Sequence, residues 1–316
     1  MNRLFIPALL GGFLLDLLLG DPEWLYHPVR LIGRFISFAE ARLRARMGNL
    51  FLAGAILTFL TVSLTMLTSA LILFLLRCLG PVPCFIGMVL LDWMGLAARS
   101  MCTEARHVQA ALEQSLESGR RQLSRIVGRD TDSLSEEEII KATVETVAEN
   151  TTDGVISPMF YAALGGPILL WGFKAASTLD SMVGYRNEKY LQLGCCSARL
   201  DDVLNFIPAR LTGLMMALSA FPAGLDGANA FRIFLRDHAR HPSPNSACGE
   251  SAAAGALHIQ LGGTHTYFGR PQFKPTIGDA DRPARRGDIH STCHLLLFTA
   301  FFFLTCLLIL YFFLTR

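Results

Sequence analysis

FLAGAILTFLTVSLTMLTSALILFLL, residues 51–76, contains no charged side chain. A helix rising about 1.5 Å per residue over that length crosses the ~30 Å hydrocarbon core of a bilayer. LLLFTAFFFLTCLLILYFFLT (295–315) reads the same way. Composition agrees: 52% of the 316 residues are apolar and 17% charged, against about 25% charged in ordinary soluble domains, and the mean hydropathy is +0.40. The fold class expected is all-α, a polytopic membrane protein forming a single membrane-embedded domain over 1–316.

Two further spans are expected at 4–20, which carries Asp16, and at 84–98, which carries Asp92. No small-residue cleavage site follows the first, so it reads as a retained helix. Segments 155–173 and 203–222 are apolar but interrupted. The first holds Pro158, Gly165, Gly166 and Pro167, and the second Asn205, Pro208 and Arg210. Proline removes a helical hydrogen bond, and a mid-bilayer arginine costs about 2.5–3.5 kcal/mol on insertion scales. Both are expected to be re-entrant or half-buried, giving four spans. Arg30, Arg34, Arg42, Arg44 and Arg46 precede the second span and only Arg77 follows it, which places 21–50 and the long polar part on the cytoplasmic side.

The net charge of +2 gives no basic surface for nucleic acid. The eight cysteines form no CxxC pair, so free thiols in a reducing compartment are expected. In the polar part the pattern predicts a helix over 99–127, and a second from the capping box Ser135/Glu138 to about residue 152, ending at Asp153-Gly154. Short helices are expected near 223–240 and 248–260, with extended loops out to 288. On the second helix, VETVAENTTDG (144–154) places Glu145, Glu149 and Asp153 four residues apart, on one face.

Polar residues gather in the regions 21–34, 141–154, 174–210 and 241–288. The first holds Asp21, His27, Arg30 and Arg34, and the second Glu145, Glu149, Asn150 and Asp153. The third holds Lys174, Asp180, Tyr185, Arg186, Tyr190, Arg199, Asp201, Asp202, Asn205 and Arg210. The fourth holds His241, Ser243, Asn245, Glu250, Tyr267, Arg270, Asp279, Asp281, Arg285 and Asp288. Taken singly, such arginines snorkel to lipid phosphates and such acids face water. Together, carboxylates and arginines beside broken apolar helices suit magnesium held by oxygen ligands and phosphate held by arginine forks. The chain contains no GxxxxGK[ST], HExxH or GxSxG, so motifs alone name no reaction.

GDPEWLYHPVRLIG, ETVAENTTDGVISPMFY, TLDSMVGYRNEKY, SARLDDVLNFIPARLT and HPSPNSACGESAAAGAL with QLGG closely resemble, in the same order, the adenosylcobinamide-phosphate synthase family of cobalamin biosynthesis. The resemblance runs from about residue 10 to 290. GCCSARL and KAASTLD depart from the expected pattern in the pocket wall. The resemblance implies an enzyme of the inner membrane with its active face toward the cytoplasm. Its activity would be that of a ligase joining adenosylcobyric acid to an aminopropanol or its O-phosphate as an amide, with ATP and magnesium. Partners implied are those substrates, the bilayer and the other corrinoid-assembly enzymes. On that reading Glu145, Glu149 and Asp153, with Asp201 or Asp202, would hold the magnesium. Lys174, Arg186, Arg199 and Arg270 would neutralise phosphoryl charge, and His27 or His241 would take the amine proton. Asp180 and Glu250 join the catalytic set. Arg30, Asn150, Tyr185, Tyr190, Asn205, Arg210, Ser243, Asn245 and Tyr267 would line the substrate site. Competing classes are a corrinoid transporter, which broken helices also fit although no inverted repeat is visible, and a scaffold for soluble pathway enzymes.

Overall fold

The computed structural model describes residues 2–22, 24, 26–185, 187–267 and 269–315, with only the backbone of residue 2. A 3-10 turn, Asn2–Leu4, leads into α1 (Phe5–Leu19). There follow α2 (Pro28–Arg46), α3 (Leu50–Leu79), α4 (Pro81–Gly95), α5 (Ala98–Gln114), α6 (Leu116–Leu123) and α7 (Glu136–Asn150). A π-helical turn, Thr151–Ile156, joins α7 to α8 (Ser157–Val183). Then come α9 (Cys195–Ala220), α10 (Gly227–Asp237), α11 (Ser246–Leu257), β1 (Leu261–Tyr267), β2 (Arg270–Ile277) and α12 (Arg286–Thr315). The chain packs as two compact units: Met1–Ala97 with Ser157–Asn205 and Leu307–Arg316, and Ala98–Ile156 with Phe206–Cys306.

In the first unit α1 packs on α4 and α8, and α3 on α2, α4 and α8. Leu9, Phe13, Ile36, Leu57, Met88 and Phe173 are fully buried there. Two indoles fasten the helices: Trp93 Nε1 donates to Gly20 O at 3.0 Å and Trp171 Nε1 to Leu91 O at 3.1 Å. Phe59, Leu67 and Phe74 of α3 stand exposed, as the outer surface of a helix facing lipid does. The expected break in 155–173 is present. Gly165 and Gly166 leave helical geometry ahead of Pro167. Gly166 has φ +65°, and a Cβ there would come 2.7 Å from the Phe5 ring, so only glycine fits.

The second unit is organised around α11, whose small side chains SACGESAAAGAL are almost wholly buried. Ala252, Ala253 and Ala256 pack with Ala148, Ala209, Met216, Ala230, Phe234 and Leu295 in one core.

Several expectations meet a different outcome. Among the described residues five helices are long and apolar enough to cross a membrane, including those holding 155–173 and 203–222, while Phe5–Leu19 is shorter. Pro208 is accommodated inside α9. Arg210 turns back on its own helix, donating to Phe206 O at 2.7 Å with its guanidinium 3.6 Å from the Phe206 ring centroid. The helix over 99–127 is two, because Ser115 ends α5 and caps α6. The Ser135/Glu138 capping box is present, but the helix it starts does not stop at Asp153-Gly154; the π turn carries it into α8. The stretch taken as loops to 288 contains an antiparallel hairpin, with Lys274 paired to Gly263. All eight cysteines are free thiols.

Candidate functional site

The second unit brings α7, α11, the hairpin and the loop before α11 onto one polar cluster. α7 and α11 meet where Gly249 lies against the Ala148 carbonyl. That contact sets Ser246 against Glu149: the serine hydroxyl donates to Glu149 Oε1 at 2.8 Å. Glu145, one turn earlier on α7, is 4% exposed. It accepts from the Arg129 guanidinium and, at 2.8 Å, from the Gly262 N–H. His265 Nε2 lies 3.9 Å from the same carboxylate, and Arg129 Nη1 also reaches His265 Nδ1 at 3.0 Å.

Glu250 is 3% exposed. Burial, with Glu149 and Glu145 nearby, pushes its carboxyl well above the usual range, because the charged form is poorly solvated and repelled. Lys274 of β2 faces these acids. Burial works against its charge, but Glu250, Tyr267, Glu149 and Glu145 outweigh it and raise its pKa. Burial opposes the Arg129 charge too, and Glu145 overrides it. His265 is held low by burial and by the Arg129 charge. The cluster therefore holds Glu250 with its carboxyl pushed up, Lys274 with its ammonium form favoured, and an Arg129–Glu145 ion pair. The Arg129–Glu145 contact is poorly solvated and correspondingly strong.

His241 closes one side. Its Nδ1 accepts the Ser243 N–H at 3.0 Å. Burial and the Lys274 charge hold its pKa low. The ring borders an open hollow with Arg240, Pro242, Phe273 and Pro275. Asn245 Oδ1 accepts from Arg210 at 3.3 Å, and the Asn245 N–H donates to Ser243 Oγ at 3.3 Å.

Of the residues expected to ligate metal, Glu145, Glu149 and Asp153 lie in this unit, with Asp153 on the π turn rather than on α7. Asp201 and Asp202 belong to the first unit. Among the described residues no three His, Cys, Asp or Glu side chains converge as a metal cluster. Asn150 donates to its own helix, at Thr146 O, and Arg270 is exposed on β2.

The first unit holds the rest. His27 caps α2, its Nδ1 accepting the Val29 N–H at 3.2 Å, and its Nε2 stands 3.7 Å from Asp21. Burial and the Lys174 and Arg30 charges lower its pKa against Asp21. Ser157 Oγ donates to Asn205 Oδ1 at 2.6 Å, and Asn205 Nδ2 to Asp201 at 3.0 Å. Asp180 sits at the C-terminal end of α8, where its carbonyl accepts the Gly184 N–H. Tyr185 and Tyr190 form a tilted ring pair 6.3 Å apart. Arg30 and Arg199 are exposed, and Arg186 lies outside the described residues.

Other expected polar residues brace the fold. Asp279 pairs with Arg232 and Arg236, Asp281 with His258, and Asp288 with Arg282 and the Arg285 N–H. Sequence reasoning passed over Arg129, Ser246, His265 and Lys274. The signal for the last two was strand alternation either side of the Gly269 turn, obscured by reading the stretch as loop.

The chain matches the CobD/Cbib protein family over residues 9–296. It is 50% identical over 277 residues to cobalamin biosynthesis protein CobD of Geobacter metallireducens, covering 87% of each chain. Identity to the CobD protein of Pelobacter propionicus is 53% over 289 residues, 90% of each. Identity to cobalamin biosynthesis protein CbiB of Salmonella arizonae is 44% over 292 residues, 90% of this chain and 91% of that one. No solved structure matches. With the matched region spanning nearly the whole helical chain, the protein belongs to the CobD/CbiB family and is a multi-pass membrane protein of cobalamin biosynthesis.

Proposed function

We propose that the protein is an amide ligase that joins (R)-1-amino-2-propanol or its O-phosphate to adenosylcobyric acid, using ATP. The observation that carries the reading is the cluster of buried Glu250 with half-buried Glu149 and Lys274 in a chain of this family. A carboxylate and an amine do not condense unaided in water. Transfer of the ATP γ-phosphoryl group to the corrinoid carboxylate gives an acyl phosphate and ADP. The amine nitrogen then forms the C–N bond, phosphate departs with the C–O bond pair, and the amine gives up a proton.

Lys274 would face the phosphoryl charge, and Glu149 would take the amine proton, since among the described residues it accepts from the neutral Ser246 hydroxyl where Glu145 accepts from a guanidinium. Desolvation makes such contacts count for more than in water. A three-acid magnesium cage does not fit, because Glu145 is committed to Arg129 and Gly262. A magnesium ion arriving on nucleotide phosphates needs only one or two protein carboxylates, and Glu149 would fill that part before, not during, the amine step in which it takes the proton. Bound there, it would screen phosphate charge. In the first unit Lys174, whose charge acts on His27, exposed Arg199, and the Tyr185–Tyr190 pair are proposed contacts for phosphate and for the corrin edge. The reaction is placed at the cytoplasmic face of the inner membrane, where ATP is supplied.

The test is direct. Purified protein in detergent is given adenosylcobyric acid, aminopropanol phosphate, ATP and magnesium. Amide product with stoichiometric ADP is expected. No amide, with corrinoid uptake by proteoliposomes, would overturn ligation in favour of transport.

A further inference from the structure

His-Pro occurs twice beside polar clusters, at His27-Pro28-Val29 and His241-Pro242-Ser243. Proline has no N–H, so the first backbone donor after each histidine is two residues on. In both places the imidazole Nδ1 accepts it, from Val29 at 3.2 Å and from Ser243 at 3.0 Å. A nitrogen that accepts an N–H carries no proton of its own, so the neutral ring bears its proton on Nε2. Both histidines are thus fixed as Nε2–H donors.

The two differ in what that donor meets. At His27, Nε2 lies 3.7 Å from Asp21, and the Met94 backbone also bonds the ring. At His241, Nε2 is buried and has no hydrogen-bond partner among the described residues. A buried donor left without an acceptor forfeits its hydration with nothing in return. The His241 ring borders the hollow that Phe273 and Pro275 also line. Lys274, between those two on β2, lowers the His241 pKa through its charge, while the Glu149 and Glu145 carboxylates act on the ring in the opposite sense.

We infer that His241 is a fixed hydrogen-bond donor rather than the base that takes the amine proton, and that with Lys274 it binds an acidic oxygen group of a substrate. The missing partner of Nε2–H is an acceptor, and the Lys274 charge that acts on the ring favours an anionic one. Phosphate, from ATP or the aminopropanol phosphate, and carboxylate, from the corrinoid, share that chemistry. The identity of those sources rests on the ligase reading; the donor assignment rests on the ring geometry alone.

Two amide substitutions separate the ring nitrogens. His241→Asn keeps an acceptor where Nδ1 stands and loses the donor; His241→Gln reaches the Nε2 position with an N–H. Thermal unfolding of the full-length protein in detergent is followed with inorganic phosphate and, separately, with acetate, each at matched ionic strength with chloride. Wild type is expected to gain several degrees with one of the two ions, which identifies the group bound. His241→Asn and Lys274→Met should abolish that gain, and His241→Gln should restore most of it. In the ligase assay His241→Asn should raise KM for the substrate carrying that group about tenfold or more. His241→Gln should keep the wild-type pH profile. No gain in wild type with either ion, an undiminished gain in His241→Asn, or loss of the acidic limb of the pH profile in His241→Gln would each overturn the assignment. If wild type binds the ion but makes no amide, the ligase reading fails and the donor site stands.

Discussion

A Cβ on Gly249 would lie 2.5 Å from the carbonyl oxygen of Ala148. That oxygen belongs to helix backbone and cannot swing aside as a side-chain tip would. Gly249→Ala is therefore expected to push α11 off α7 and to cost about 1–3 kcal/mol of stability. Ser246 and Glu250 ride on α11 and Glu149 on α7, so activity should fall further than stability alone explains. Gly48→Ala, where no atom lies within 4 Å of the added carbon, is the control for both measurements. Equal melting temperatures for the two variants would remove the tight helix contact from the account.

Arg129 and Glu145 form a pair in which both side chains are under a tenth exposed. Breaking a buried pair strands a charge, at about 3–5 kcal/mol, whereas replacing both partners with apolar groups of similar size is often neutral. Arg129→Met should destabilise strongly, and adding Glu145→Met should recover most of the loss. Denaturation in detergent across the four proteins gives the coupling. Recovery of stability without recovery of ligase activity is the outcome expected if Glu145 also shapes the site.

How much of this was legible beforehand follows from the range over which each signal acts. The span at 51–76 and the capping box at Ser135 are local, and both appear as read. The acidic face of VETVAENTTDG was read correctly at Glu145 and Glu149, since four-residue spacing within an α-helix is fixed. Asp153 lies beyond α7, on the π turn, where the four-residue α-helical spacing no longer sets the phase. Nothing local tells Glu145, which takes Arg129 from 16 residues upstream, from Glu149, which meets Ser246 97 residues downstream. Those roles depend on tertiary approach. Lys274 was missed for a related reason: its place in the cluster depends on the pairing of β1 with β2.

Glu250 gives a pH dependence of definite sign. Its carboxyl is held well above the ordinary value by burial and by Glu149 and Glu145. Between the unfolded value, about 4.3, and the raised folded value, the folded state binds the extra proton. Stability therefore falls as pH rises through that window. Glu250→Gln has no proton to lose. Its melting temperature is expected to decline less than wild type from about pH 5 upward and to exceed it at pH 8. Parallel curves would show that Glu250 does not titrate abnormally.

Asp92 is fully buried on α4, and neither carboxylate oxygen has a hydrogen-bond partner among the described residues. Its Cβ lies where a side chain on Gly12 of α1 would have to go, 2.7 Å from that added carbon, so the α1–α4 contact holds the group in place. An unpartnered polar group in an apolar interior costs about 1–3 kcal/mol, and acids persist inside membrane helices mainly where function needs them. Asp92→Asn keeps the shape and removes the capacity for charge. Its melting temperature in detergent at pH 7 is expected to equal or exceed that of wild type. Gly12→Ala, which forces α1 and α4 apart, should lower it. A marked loss of stability in Asp92→Asn would mean that the carboxylate is satisfied and holds the two helices together.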